Sequence, residues 1–507
     1  MVCERAFLPD ELAEHERLAA PVLSLESQRP LSAFDCIAFS TTYENDYLHL
    51  LRILQLSGIP LRAEERGPGH PLVSMGGVCA WSNPEPLAPF LDWVFLGEGE
   101  ESGPEVFSRW RALREAGPDA ATAREAFFRE LLDIEGVYVP GRYTVREQPD
   151  GTVAGVLPQG GAPLPVRKRI LRQPDTVQTI SAVRTPDTEF GDMGLIEVGR
   201  GCGRGCRFCL EGEIYRPVRH RHLEAVLAAA DALASGGPRV GLVGACLSDY
   251  PWLEELLAGL RARGMTAGVS SLRADRLTTE LLQALVGSGT RTITLAPEAG
   301  TDRLRAVIRK GLTDDQICRA AERAADAGLA ALKLYFMLGL PTETDEDVDG
   351  IMQLAKQVRH RLLRARRQAT AAPDVTVGVS CFVPKPWTPF QWCGMAEVKR
   401  LEESLDRLRR GFRKAGIRFT HDVPKWAYLQ AVLARGDRHV ADLLGLALHH
   451  KGEWRKAFRE WPRNGDFYAA RARPLHERFP WDHLDVGADR GRLEAEYRRA
   501  MDAEATA

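Results

Sequence analysis

The stretch IEVGRGCGRGCRFCLEG, residues 196–212, decides how this chain is read. Its opening residues complete a β-strand pattern that begins at Gly194. A Gly/Arg loop follows and carries Cys202, Cys206 and Cys209 at the spacing C-x3-C-x2-C. Thiolates are soft ligands, suited to iron–sulfur clusters or to zinc. Three close thiolates can hold three irons of a cubane and leave the fourth open to a substrate or cofactor. A structural zinc site wants four ligands. The loop has no fourth cysteine or histidine of its own, and His220 and His222 are the nearest in sequence. The glycines let backbone N–H groups approach the sulfurs without steric cost.

Outward from this loop the chain alternates regularly. Strand patterns occupy 194–199, 239–246, 265–271, 291–296, 331–337 and 375–382, each followed by a helical pattern. The helix near 221–235 puts Leu223, Val226, Leu227, Ala230 and Leu233 on one face. Thr313 and Gln316 are spaced as a capping box. Gly264 and Gly328 end helices just before the next strand. Six βα units fall short of the eight that close a full barrel. The expected fold is therefore α/β, with a partial, open (β/α)6 barrel over 191–395. The cysteine loop follows the first barrel strand, at the C-terminal ends of the strands where barrel enzymes keep their chemistry.

The flanks read differently. Residues 1–135 hold shorter strand patterns at 34–40, 71–77 and 91–101 around a helix ending at Gly58, which is Rossmann-like patterning. Residues 136–190 are rich in Gly and Pro and read as a linker or small β element. Residues 396–507 lose the βα rhythm and read as a helical C-terminal domain, with Trp426, Trp454, Trp461 and Trp481 mostly as core.

The 507 residues carry a net charge of -2, 44% hydrophobic and 27% charged residues. That composition fits a multi-domain globular protein and gives no global sign of nucleic-acid or membrane binding. No apolar run approaches the ~18 residues that span a bilayer. The first residues, MVCERAFLPDELAEHERL, lack a signal pattern, so the cytoplasm is the expected location. In that reducing setting the ten cysteines are no disulfide framework. Cys246, Cys318 and Cys381 lie in strand or helix patterns and read as inert. Cys393 ends the sixth-strand segment, nearer the expected site. The basic run 356–368 reads as a solvated helix face, with an RNA-contacting patch as the lesser alternative.

The cysteine motif after the first of six βα units, with Phe208 directly before the last cysteine, resembles the radical S-adenosylmethionine (SAM) superfamily over at least 194–393. The resemblance implies a 4Fe-4S cluster on Cys202, Cys206 and Cys209. It also implies SAM bound through its amino and carboxylate groups to the open iron, and reductive cleavage to a 5′-deoxyadenosyl radical. GLVGACLSDYP (241–251) stands where the superfamily contacts the methionine amine, which makes Gly244 a candidate contact. VSSLRADRL (269–277) contributes Ser271 and Arg273, the latter a charge-assisted partner for the SAM carboxylate. Glu298 in TLAPEAGTDRLR (294–305) matches a ribose/SAM contact. Read singly, Arg273 is also a surface ion-pair residue, and Glu298 a helix-start carboxylate. LKLYFMLGLPTET (332–344) and SCFVPKPWTPFQW (380–392) resemble the fifth and sixth strand segments of cobalamin-linked and methylthiotransferase-like branches. Lys333 in the first of these reads as structural.

LVSMGGVCAWSNPEPL (72–87) and FLGEGEES (95–102) resemble the N-terminal domain of an uncharacterised family of cobalamin-binding-domain radical SAM proteins. So do 24–35, 199–221, 433–444 and 479–487. The resemblance implies a cobalamin site in which the Gly-Gly and GEGE loops face the corrin. The chain departs from it by lacking a D-x-H-x-x-G motif and by beginning one strand–helix unit into that domain, which points to a truncated domain and a start upstream of Met1. Methylthiotransferases offer a rival use of this region, a second cluster on three spaced cysteines. Cys3, Cys36 and Cys79 have such spacing, but Cys36 sits in an apolar strand and Cys3 at a terminus.

The expected function is radical chemistry on an unactivated C–H bond of an unknown substrate, with cobalamin-dependent C-methylation as one form. RNA, a ribosomal protein or a peptide are the expected substrate types, and a flavodoxin or ferredoxin the electron donor. A methylthiotransferase-like enzyme and a zinc-stabilised binding protein without turnover are the alternatives.

Overall fold

The computed structural model describes residues 2–502 apart from 118, 189, 270, 330 and 366–373. The N-terminal sheet contains β1 (Cys36–Ser40), β2 (Leu72–Gly76), β3 (Trp93–Phe95) and β4 (Val137–Tyr138), in that spatial order. The first three are parallel and β4 is antiparallel. β4 lies in the stretch read as a linker or small β element. The Gly/Glu loop after β3 is shorter than expected, because helix Gly99–Glu115 begins inside it with Glu100 and Glu101 in its first turn. Acidic side chains there are favoured by the helix dipole.

The barrel strands are β5 (Gly194–Glu197), β6 (Arg239–Val243), β7 (Thr266–Val269), β8 (Thr292–Glu298), β9 (Ala331–Leu338), β10 (Asp374–Cys381) and β11 (Arg418–His421). β5 to β7 form one parallel ladder and β8 to β11 another. A single parallel bridge between Leu272 and Leu295 joins the two. All six expected strands form. The seventh, β11, falls inside the region expected to be purely helical, because four residues carry little pattern. Among the described residues no ladder joins β5 to β11, so the strands make an open arc.

The helices cover the outside of the arc. Helix Leu223–Leu233 buries Val226, Ala229, Ala230 and Leu233. Thr313 and Gln316 form the expected capping box at helix Asp314–Asp326. Gly264 and Gly328 adopt the left-handed backbone, with φ of 69° and 92°, that ends a helix ahead of a strand. On β9, Leu332, Leu334, Phe336 and Leu338 are buried toward the helices, while Lys333, Tyr335 and Met337 point the other way.

The C-terminal region adds helices Val398–Ala415, Pro424–Arg435, Val440–His449, Trp454–Glu460 and Arg490–Asp502. Trp461 and Trp481 are core residues, whereas Trp426 is exposed. The basic run lies on helix Asp345–Ala365, where Arg361 pairs with Glu322. Its residues 366–368 lie outside the described residues. Among the described residues no helix is long and apolar enough to cross a membrane.

Candidate functional site

The thiol loop is closed at its neck. Gly199–Arg200 pairs antiparallel with Arg219–His220, so residues 201–218 leave and return at one point. Gly201 has φ of 81°, and a Cβ there would lie 2.6 Å from the Tyr215 carbonyl oxygen, which only glycine tolerates.

The two neck arginines converge on one carboxylate from the N-terminal domain. Arg219 donates twice to Glu98, at 2.7 and 2.6 Å, and Arg200 Nη1 lies 2.9 Å from Glu98 Oε2. The Leu171 N–H donates to the same carboxylate at 2.7 Å. Glu98, Arg200 and Arg219 are only 6%, 8% and 9% exposed. Burial alone would push the Glu98 carboxyl up. The Arg219 hydrogen bonds and the Arg200 charge outweigh it and hold the group below the ordinary carboxylate value. Arg200 further pairs with Glu197 at 2.8 Å and Glu100 at 2.5 Å. Beside the neck, Trp81 packs on Tyr215 with ring centroids 4.5 Å apart. The C-terminal helix closes the other flank through Arg207 and Glu496 at 3.0 Å, and through Arg492 and Glu213.

Within the loop the three thiols differ. Cys202 is held down at about 6, first by a hydrogen bond from Cys246 and then by the Arg204 N–H. Burial raises Cys206, against the charges of Lys310 and Arg273. Burial also raises Cys209 to about 12, partly offset by the Gly212 N–H. Cys246, expected to be inert, thus stands against Cys202, and its own thiol is shifted up as the donor of that bond. Asp249 accepts from Cys246 and from Arg204 Nε at 2.6 Å, tying the loop to the end of β6. No local spacing marks Cys246, because it lies 37 residues beyond Cys209 on another strand end.

The structure brings Arg273 and Glu298 to the same place, since both act on the Cys206 thiol. Each already has a partner. Arg273 pairs with Asp275 at 2.9 Å and donates to the Lys310 carbonyl at 3.2 Å. Glu298, at a left-handed φ of 69°, accepts from Lys310 Nζ at 3.0 Å. Lys310 escaped the sequence reading because nothing in its own segment marks it. Gly244 lies where a Cβ would sit 3.1 Å from Val198, just before the thiol loop. Ser271 is exposed at the end of β7. Cys393 packs in the apolar cluster that Phe208 joins.

The donor set fits a cluster. Zinc draws its ligands onto one ion, whereas a cubane spreads three thiolates over three irons. His220 packs edge-on against Tyr250 and His222 lies against Trp252. Cys3 is exposed, Cys79 lies in the core beside Tyr47, and Cys36 belongs to a different apolar cluster with Leu72 and Trp93. The three are not brought together.

The glycines of the two loops expected to face a corrin have a role within the chain itself. A Cβ on Gly77 would lie 2.6 Å from the Thr41 carbonyl oxygen, and one on Gly97 only 2.1 Å from that of Arg169. These glycines serve close approach by the chain's own backbone. Glu98 faces the barrel arginines. Helix Val78–Ser82 is packed over by Trp387, whose Nε1 donates to the Ser82 carbonyl at 2.8 Å. Gly97→Ala is expected to destabilise the fold by about 1–3 kcal/mol from backbone strain alone. Thermal melts should show the same loss with and without added cobalamin.

An open parallel arc with a three-thiol loop after its first strand defines a class. Residues 1–140 match the family model for radical SAM proteins, N-terminal, and residues 196–355 the model for the radical SAM superfamily. The chain belongs to the radical SAM superfamily, whose members use a 4Fe-4S cluster and SAM. Among its relatives, the uncharacterised protein MJ0966 of Methanocaldococcus jannaschii is 31% identical over 447 residues, 86% of each chain. A ribosomal protein uS12 methylthiotransferase of Geobacter sulfurreducens is 26% identical over 205 residues, 36% of this chain and 45% of that protein. The chain thus spans less than half of the methylthiotransferase. Among solved structures, the cobalamin-dependent SAM radical enzyme OxsB with aqua-cobalamin bound aligns with a TM-score of 0.42 and 13% identity, covering 93% of this chain and 72% of that one.

Proposed function

We propose that Cys202, Cys206 and Cys209 hold the 4Fe-4S cluster and that the chain cleaves SAM there to start radical chemistry on a separate substrate. The carrying observation is the locked neck of the three-thiol loop, which holds Cys206 within reach of the charges of Lys310, Arg273 and Glu298. The cluster held by Cys202, Cys206 and Cys209 would supply the reducing electron for SAM cleavage, and so radical hydrogen abstraction from the substrate. The chain's own residues bind and orient. The Arg204 and Gly212 N–H groups donate to thiolate sulfur. Lys310 and Arg273 place positive charge where an anionic cluster and the SAM carboxylate need it, with Arg273 shared between Asp275 and that carboxylate. Glu298 accepts from the ribose hydroxyls. Gly244 and Ser271 leave room for the methionine end.

The setting is the reducing cytoplasm, with a flavodoxin or ferredoxin as electron donor and a macromolecular or complex substrate. SAM cleavage itself needs no cobalamin, and cobalamin-dependent C-methylation is a finer form of the reading that the test below decides. Sulfur insertion is the weaker reading, because Cys3, Cys36 and Cys79 lie in separate surroundings.

The test is anaerobic reconstitution with and without cobalamin, followed by iron, zinc, 5′-deoxyadenosine and S-adenosylhomocysteine analysis. The expected result is about four irons per chain and 5′-deoxyadenosine in both arms. Stoichiometric zinc without iron, and no 5′-deoxyadenosine, would sink the reading. S-adenosylhomocysteine formed in step with 5′-deoxyadenosine only when cobalamin is added would restore C-methylation.

A further inference from the structure

The interior face of the arc is uneven. Under β5 to β7 it is filled. The Met193 sulfur lies 3.8 Å from the Cβ position of Gly241 and 2.6 Å from that of Gly268, and Leu195 covers Gly241 at 2.6 Å. Across β8 to β11 the face is open. Alternation turns Lys333, Tyr335 and Met337 of β9 inward, opposite the buried Leu332, Leu334, Phe336 and Leu338. Tyr335 is 42% exposed, although it lies mid-strand in the middle of a four-stranded sheet. A Cβ on Gly378 would lie 2.7 Å from two Tyr335 ring atoms and 3.6 Å from Thr420 Oγ1, so the ring rests against β10 where only glycine allows it. Glycine in a strand interior weakens the strand and marks such close approaches.

Register surrounds Lys333 with hydroxyls, Thr294 on β8 and Thr376 on β10, and sets Met337 opposite Ser380. The Lys333 side chain is exposed and makes no hydrogen bond or ion pair with any described residue. The acid at the start of β10, Asp374, is paired with Arg418 at 3.1 Å. An ammonium without a carboxylate, in a wall of hydroxyls, selects an anion. An aromatic face two residues along the same side, roughly 7 Å away, selects a planar group. Ring and anion at that separation, with hydroxyl partners between strands, are the parts of a nucleotide.

We propose that this wall recognises a nucleotide, with the base on Tyr335 and a phosphate on Lys333, and that the substrate is a nucleotide, free or within RNA. The proposal rests on the radical SAM reading of the thiol loop. Lys333, which its strand position marks as structural, becomes a specificity residue, and Tyr335 its partner.

The test is binding to reconstituted holoprotein with SAM saturating, so that the adenosine of SAM does not compete. The probes are uridine and guanosine 5′-monophosphates, the matching nucleosides, inorganic phosphate, a short single-stranded RNA and an acidic peptide. The monophosphates should bind more tightly than the nucleosides. Lys333→Gln should erase that difference and Lys333→Arg should keep it. Tyr335→Ala should weaken nucleotides and nucleosides alike by about tenfold. Tighter RNA binding that depends on both residues would assign the nucleotide to RNA, and equal or weaker RNA binding to a free nucleotide. Preference for the acidic peptide, or variants that bind as the parent does, would overturn the proposal. Substrate-free 5′-deoxyadenosine formation should be unchanged in all three variants. Protein that cleaves SAM but binds no nucleotide refutes this inference alone. Protein that binds nucleotide through both residues but never cleaves SAM refutes the radical reading alone.

Discussion

Alanine at any one of Cys202, Cys206 or Cys209 is expected to abolish 5′-deoxyadenosine formation and to cut iron to well below the parent's. Each thiolate would hold one iron of a cubane, and two soft ligands are too few to retain it. The neck of the loop around them is held by contacts within the chain. It is closed by backbone pairing and by the Glu98 arginine pairs. The three variants should therefore stay folded, with urea midpoints of the metal-free proteins near the parent's. Cys246→Ala is the matched control. It removes the hydrogen bond to Cys202 but no proposed ligand, so iron content should survive. Loss of iron in Cys246→Ala together with full retention in Cys202→Ala would reassign the site.

Glu98→Ala is expected to be the most disruptive change outside the loop. It leaves two buried guanidiniums facing each other without their shared carboxylate. Breaking a buried pair by removing one partner costs about 3–5 kcal/mol. The loss should appear in the urea midpoint of the metal-free protein and in slower, lower iron loading. Glu98→Gln keeps the shape but not the charge and should fall between the two. Acid should reproduce the effect. The folded-state carboxyl lies below its ordinary value near 4.5. Its contribution is therefore complete above about pH 4.5 and is lost as pH falls through the lower folded value. The parent should lose stability in that window, and Glu98→Gln should lose less. Equal acid slopes in the two proteins would show that the clamp does not carry the neck.

Much of this arrangement can be read along the chain. The C-x3-C-x2-C run after Gly194–Gly199 is local, and so is the alternation that marks six barrel strands. The capping box at Thr313 and the helix-ending Gly264 and Gly328 are local as well. β11 escapes because four residues are too short for a period to register. The glycines at 77 and 97 carry a resemblance to corrin-facing loops. Only the packing shows that the Thr41 and Arg169 backbones lie against them, where a Cβ would clash.

Order in sequence was enough for the thiol loop and its place after the first barrel strand, since ligand spacing and strand or helix periodicity are properties of neighbouring residues. Tertiary structure alone decided which distant groups complete the site. Glu98 meets arginines more than a hundred residues away, and Cys246 meets Cys202 across two strand ends. Those pairings arise when the N-terminal sheet packs on the loop and the strands curve into an arc, and no spacing along the chain encodes such a contact.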